Sequence, residues 1–180
     1  MKILAIVFVA AIGVGSGMAQ EAAAPASKPA KVCVARVRNQ TTAKFDVAKF
    51  REALFTGLLG SKLAKDGTAS FVTIDADSSD VANDEIQKVG CEFAVYTRVL
   101  LKPKLESPRT LETGTTVEVA KLDRGDIYGL QCTVERTSSG MPVLIDRQFD
   151  TRQTTDDRGV LRLLAAESGR IEEALGKKLK

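Results

Sequence analysis

Alternation of hydrophobic and polar residues marks two short segments in the first half of the chain, and a helical pattern follows each. Residues 31–38 alternate and are rich in valine, and residues 70–75 form a shorter run of the same kind. Both segments predict strands. Residues 79–89 form a weaker helical pattern that Gly90 closes. The order strand, helix, strand, helix predicts parallel strands joined by right-handed crossovers.

The helix between these two strands has the clearest signals in the sequence. Phe45 precedes Asp46, a typical N-cap residue, and Phe50 stands where a hydrophobic staple would bring it back against Phe45. Gly60 is placed to end the last turn. The apolar positions recur at helical spacing and predict a helix that covers one face of a sheet: Val47, Phe50, Leu54 and Leu58.

Three further elements complete the pattern. Residues 91–101 carry apolar side chains on both faces, which predicts a central strand. Residues 126–136 and 142–152 predict an antiparallel hairpin that turns at 138–140, with one wet side. The first arm of the hairpin has one apolar face: Tyr128, Leu130, Cys132 and Val134. Gln131, Thr133 and Glu135 are expected to face solvent.

A last helix is predicted over residues 160–179, and lysines at its end favour the negative pole of the helix dipole. Its expected core positions are Leu161, Leu164, Ile171, Leu175 and Leu179. The predicted fold is therefore mixed α/β: a five-stranded sheet with its first three strands parallel, a C-terminal antiparallel hairpin and flanking helices. Residues 105–125, which are polar and rich in threonine, are predicted to leave this fold as an excursion.

The start of the chain has the layout of a secretory signal peptide. A positive charge at Lys2 precedes an apolar run, and the small residues Gly17 and Ala19 lead into Gln20. The run is shorter than the roughly 20 residues that a membrane span needs. We therefore predict a signal peptide over residues 1–19, a flexible linker rich in alanine and proline over 20–30, and a single domain over 31–180.

The amino-acid composition limits the partners and the catalytic centres that the chain can have. Lysine and arginine number 26 against 23 aspartates and glutamates, so the net charge of +3 is too small to indicate a polyanionic partner. Histidine is absent, which excludes Ser-His-Asp and Cys-His centres within one chain. No catalytic, cofactor-binding or metal-binding residue is predicted, and no cofactor.

The three cysteines, Cys33, Cys91 and Cys132, stand among apolar residues. We interpret them first as small buried hydrophobic residues. In an oxidising compartment one structural disulfide is an alternative, and a reactive or intermolecular thiol is another.

An acidic stretch resembles a calcium loop superficially: Asp75, Asp77, Ser79, Asp80, Asp84 and Glu85. The standard loop needs glycine at its sixth position and glutamate at its twelfth, and counting from Asp75 these places hold Asp80 and Ile86. We therefore interpret the stretch as a solvated turn whose carboxylates favour a helix N-terminus, with an irregular calcium site as the alternative.

A small basic cluster, Lys102, Lys104 and Arg109, stands beside the predicted excursion. It is interpreted as a solvated rim, with contact to anionic lipid or glycan as the alternative. No aromatic platform accompanies it, so nucleic acid is not expected as a partner. The glycines after the first strand form no phosphate-binding fingerprint.

Two segments carry a resemblance to known families. VCVARVRNQT (residues 32–41) resembles the opening strand and loop of the curli-secretion lipoprotein family and of the N-terminal module of the Tol translocation propeller protein. DEIQKVGCEFAVYTRVL (residues 84–100) is similar to their helix, glycine and third strand. The resemblance implies a sheet with strand order 2-1-3-4-5 and an envelope protein that docks or assembles. The chain lacks the acylated cysteine and membrane hairpins of the first family and the propeller repeats of the second.

The function expected from these observations is that of an exported, non-catalytic envelope protein, periplasmic or secreted, which binds another envelope protein or itself. The alternative is a periplasmic small-ligand binding domain with a pocket between the hairpin and the helices. No transmembrane segment is expected in the mature chain.

Overall fold

A computed structural model describes residues 28–102, 127–149 and 157–179 of the chain. The predicted signal peptide, most of the linker and the predicted excursion lie outside these residues. The five strands are β1 (Ala30–Asn39), β2 (Ala69–Thr73), β3 (Phe93–Leu101), β4 (Tyr128–Arg136) and β5 (Met141–Phe149). The helices are α1 (Val47–Leu59), α2 (Lys62–Lys65), α3 (Ser79–Val89) and α4 (Asp157–Lys178).

The strands form one sheet in the order β2-β1-β3-β4-β5. Strand β1 pairs in parallel with β2 and β3, whereas β4 is antiparallel to both β3 and β5. The predicted fold class and strand order are confirmed. The central position predicted for the third strand is also confirmed, because β3 lies between β1 and β4 and is buried on both faces.

Helices α1 and α4 cover one face of the sheet and form the larger core. The side chain of Asp46 accepts a hydrogen bond from the Lys49 backbone N–H at 3.1 Å, as expected of an N-cap. The Phe45 and Phe50 rings pack with their centroids 5.7 Å apart, which confirms the predicted staple. The largest fully buried residues of this core lie on both helices and the sheet: Phe50, Leu54, Leu58, Phe93, Leu130, Leu164, Ile171 and Leu175.

Helix α3 covers part of the opposite face with small side chains. Ala82 and Ile86 pack with Cys33, Ala94 and Tyr96 in a second, smaller cluster. The helix ends at Gly90, which takes a positive φ of 73° and donates its backbone N–H to the Ile86 carbonyl. The predicted bounds of this helix are confirmed.

Some details differ from the sequence prediction. The four-residue helix α2 was not predicted, since one turn is too short to show periodicity; the Ser61 hydroxyl caps it by accepting from the Ala64 backbone N–H at 3.3 Å. Thr133 was expected to face solvent and is buried. Leu161 and Leu179 are half-buried, while Leu163 of α4 is buried instead.

Gly129 of β4 is expected to tolerate no side chain. A Cβ atom there would lie 2.3 Å from the backbone oxygen of Gln148 and 2.3 Å from the Phe149 ring. Because a backbone carbonyl cannot swing away, we expect Gly129→Ala to lower the free energy of unfolding by about 2–3 kcal/mol in urea denaturation. Gly169→Ala is the control, since its Cβ would meet nothing within 4 Å and would favour the helix. Equal effects of the two substitutions would contradict this close packing.

Candidate functional site

The acidic stretch stabilises the connection between β2 and α3. The Glu85 carboxylate accepts hydrogen bonds from the backbone N–H groups of Asp75, at 3.0 and 3.1 Å, and Ala76, at 3.2 Å. Hydrogen bonding from Arg51, with the charge of Arg36 next, lowers the pKa of Asp75. Among the described residues no three His, Cys, Asp or Glu side chains are placed to hold a metal ion. The geometry is that of a solvated turn between a strand and a helix.

The cysteines require a correction. Cys33 and Cys91 form a disulfide across a sequence separation of 58, so their first interpretation as free buried residues is wrong and the disulfide alternative holds. The signal lay in the strand order: Cys33 is in β1, Cys91 precedes β3, and these strands are neighbours. Cys132 is free and buried, as first interpreted. Burial is the main cause that raises the pKa of its thiol to about 12, so it is unreactive.

The basic cluster is only partly described. Lys102 is exposed directly after β3, and its backbone N–H donates to the Ile127 carbonyl at 2.8 Å. Lys104 and Arg109 lie outside the described residues. The interpretation of this cluster as a solvated rim stays a prediction.

A buried polar cluster between the hairpin and α4 was not predicted. Glu167 of α4 is 1% exposed and accepts a 2.5 Å hydrogen bond from Gln148 of β5. Asp146 of β5 accepts from Gln148 at 2.8 Å and forms an ion pair with Arg170. The sequence did carry a signal for this cluster: Glu167 is an acidic residue inside the apolar stripe of α4, between Leu164 and Ile171.

The two carboxyl groups of this cluster titrate in opposite directions. Burial, and next the charge of Asp146, raises the pKa of Glu167 to about 7. Burial acts to raise the pKa of Asp146 as well, but hydrogen bonds from Gln148, Arg170 and Glu167 outweigh it and hold that pKa below its usual value. Each carboxyl group acts on the other in the opposite direction, so Glu167 holds its proton more readily while Asp146 keeps its charge. Because Glu167 has almost no exposed surface, this proton serves packing rather than a substrate.

Two depressions on the surface of the described residues bear on the choice of function. A depression of about 650 Å³ is bounded by α1 and the end of β2, with Lys49, Arg51 and Phe55 in its wall. A smaller one of about 140 Å³ lies beside Cys91 and Arg136. Neither of these two lies between the hairpin and the helices, where the sequence placed the pocket of the small-ligand alternative. Side chains of the larger core occupy that region.

The most distinctive surface is the hairpin face that points away from α4, which we call the open face. It is formed by alternate residues of β3, β4 and β5, and α3 covers it only along β3, where Tyr96 belongs to the same cluster as Ala82 and Ile86. Arg98, Gln131 and Arg147 form one row of cross-strand partners, and Tyr96, Thr133 and Ile145 form the next. Ile145, on the edge strand β5, is 63% exposed. This surface is the side of the hairpin that the sequence predicts to face solvent.

No family model and no curated protein matches the sequence. Among solved structures, the chain is similar to a variant of the PelC dodecamer from Paraburkholderia phytofirmans, with 15% identity, coverage of 77% of this chain and 85% of that one, and a TM-score of 0.50. It is also similar to the hypothetical protein CT253 from Chlamydia trachomatis, with 14% identity, coverage of 82% and 99%, and a TM-score of 0.49. TolB from Acinetobacter baumannii matches with 8% identity, coverage of 84% and 28%, and a TM-score of 0.44.

At these identities the likeness concerns the fold alone, and of these three the PelC comparison is the one close enough to argue from. Membership of the curli-secretion or Tol families stays a prediction. None of the described helices combines the length and the apolar character needed to cross a bilayer. The chain thus shares its fold with a protein that assembles as a dodecamer.

Proposed function

We propose that the chain is an exported, non-catalytic protein of the cell envelope, periplasmic or secreted, which acts by binding or assembling with other proteins. The observation that carries this proposal is the open face, where Ile145 stands exposed on an edge strand. An edge strand presents unpaired backbone N–H and C=O groups to which another chain can pair, and Ile145 adds an exposed apolar contact beside them.

Two further observations support the proposal. The buried disulfide suits an oxidising compartment outside the cytoplasm. The titratable groups with the most strongly raised pKa values, on Cys132, Tyr96 and Glu167, are all buried, so they are poorly placed to act on a substrate. The proposal therefore assigns the chain a role in binding rather than in catalysis.

The proposal predicts that a charge at position 145 of the open face weakens partner binding. Affinity capture from an envelope fraction with the mature chain should enrich a defined protein, and Ile145→Asp should lose it about tenfold, because a carboxylate would be buried against the partner. Leu59→Asp is the matched control: Leu59 is also an exposed apolar residue, 47% accessible, but it lies on α1. Enrichment of no protein, or equal capture by both variants, would contradict the proposal.

A panel of small ligands tests the alternative function. A ligand that binds only the folded chain raises its melting temperature by mass action. The proposed function predicts no such rise across the panel. A reproducible rise that survives Ile145→Asp would favour a small-ligand domain instead.

A further inference from the structure

The two edges of the sheet differ in how well they are protected. Strand β2 forms one edge with five residues, Ala69–Thr73, whereas β5 forms the other with nine, Met141–Phe149. Natural edges are commonly shortened, bulged or interrupted by proline, because their unpaired backbone groups can bind another chain. In β5 these devices stand only at the start: Pro142 lacks an N–H, and Val143 has no partner in the register with β4. Residues 144–149 therefore form an edge that is free of proline and of register shifts.

The side chains that this edge presents on the open face alternate in character. Ile145, Arg147 and Phe149 are successive residues on that side of β5, about 7 Å apart. Ile145 is largely exposed, Arg147 is exposed and Phe149 is half-buried, with its ring beside Gly129. The edge therefore presents a cation between two apolar side chains.

The cation of this edge has no acidic partner among the described residues of its own chain. Arg147 donates a hydrogen bond to the Gln131 side chain at 2.8 Å, and the next residue in the same row is Arg98. No described carboxylate forms an ion pair with Arg147. The neighbouring Asp146 lies on the other face of β5, where it pairs with Arg170. The positive charge of Arg147 is thus left for a partner.

We propose that an extended segment of another envelope protein pairs with β5 and adds a sixth strand to the sheet. Its main-chain groups bind the free edge, and its side chains on the open face are apolar, acidic and apolar at every second residue. The acidic residue lies opposite Arg147, and the two apolar residues lie opposite Ile145 and Phe149. Because this pattern reads the same in both directions, it holds for a parallel and for an antiparallel partner.

The same pattern argues against a second copy of this chain as the added strand. Strand β2 has no acidic residue, and the acidic residue of β5, Asp146, lies on the opposite face. Two copies of β5 paired with Arg147 opposite Arg147 would place like charges in contact. An antiparallel register centred on Ile145 would instead place Arg147 opposite Val143, which offers no charge. The chain itself therefore lacks the strand that its edge fits.

This inference rests on the proposed function and gives the contact segment of the partner a sequence pattern. Its probe is a fluorescent peptide of about ten residues, in which valine, glutamate and valine alternate with threonine. Fluorescence anisotropy with the mature chain should show binding about fivefold tighter than that of the same peptide with lysine for glutamate, because one cross-strand charge pair changes from attraction to repulsion. Arg147→Glu should reverse this preference. Arg162→Glu is the control: Arg162 is exposed on α4, on the other side of the sheet, and its substitution should leave the preference unchanged.

N-methylation tests whether the glutamate peptide binds as a strand. In a paired strand only every second residue directs its N–H group to a given neighbour. We therefore expect methylation of the threonine N–H groups, and methylation of the valine and glutamate N–H groups, to have opposite results. One of the two methylated peptides should lose binding and the other should keep it.

Two results would overturn the inference: equal affinity of the wild type for the glutamate and lysine peptides, or equal binding of the two methylated peptides. Circular dichroism of Arg147→Glu separates a lost contact from a lost fold. If neither peptide binds while Ile145→Asp still loses a captured protein, this inference alone ends. If neither peptide binds and no protein is captured, both the inference and the proposed function end.

Discussion

Replacing Cys33 and Cys91 together by alanine is expected to lower the free energy of unfolding by about 4 kcal/mol. The disulfide closes a loop between residues 58 apart, and its loss returns the loop entropy to the unfolded chain. Both side chains are buried, at 0% and 6% exposure, so their loss also loosens the contact of α3 with the sheet. The melting temperature should fall by roughly 12 °C in a calorimetric scan.

The third cysteine provides the control for this experiment. Cys132→Ala keeps the disulfide and removes one small buried side chain, so it should cost far less than the double variant. A reductant should lower the melting temperature of the wild type and of Cys132→Ala, but not that of the double variant. A double variant as stable as Cys132→Ala would show that this disulfide does not stabilise the fold.

The wild type is expected to lose stability as the pH rises, and Glu167→Gln is expected to abolish this pH dependence. The pKa of Glu167 is raised in the folded state from 4.5 to about 7, so the protonated form stabilises the fold. This contribution is complete below pH 4.5 and is lost as the pH rises through 7. This rise of the Glu167 pKa from 4.5 to about 7 corresponds to about 3 kcal/mol in the free energy of unfolding. Glutamine keeps a neutral donor and acceptor at every pH, so above pH 7 the variant should be the more stable protein.

Urea denaturation at a series of pH values measures this effect, and the residues around Glu167 supply the control. Asp146 faces it from β5 and Arg170 lies one turn further along α4. Cys132 faces it from β4, and the charge of Glu167 raises the pKa of that thiol. Asp146→Asn should lower the pKa of Glu167, because it removes the repelling charge. A wild type and a Glu167→Gln variant with parallel pH profiles would show that Glu167 holds no such proton.

The local elements could be predicted because their signals are local. The staple of Phe45 and Phe50, the N-cap at Asp46 and the C-cap at Gly90 each lie within a few residues of one another in the sequence, and each is found in the structure. The strand order followed from resemblance to known families rather than from periodicity. Short-range patterns therefore gave the elements, and the order of the strands needed a longer-range comparison.

The features that the sequence missed all depend on contacts between distant residues. The disulfide became apparent only once β1 and β3 were placed side by side. The buried position of Glu167 was missed because an acidic residue in a helix is usually exposed, and here Gln148 from β5 provides its partner. The alternation in β4 predicted a wet side but not the burial of Thr133, which lies between Tyr96 and Ile145 on the neighbouring strands.

Position-specific photo-crosslinking in intact cells would decide whether the open face is a binding surface. A crosslinking amino acid at position 145 should form a discrete adduct, either with a second copy of the chain or with another envelope protein. The same amino acid at position 56, which is exposed on α1, should leave the chain uncrosslinked. Adducts of equal yield at both positions, or at neither, would show that the hairpin of this protein has no dedicated partner.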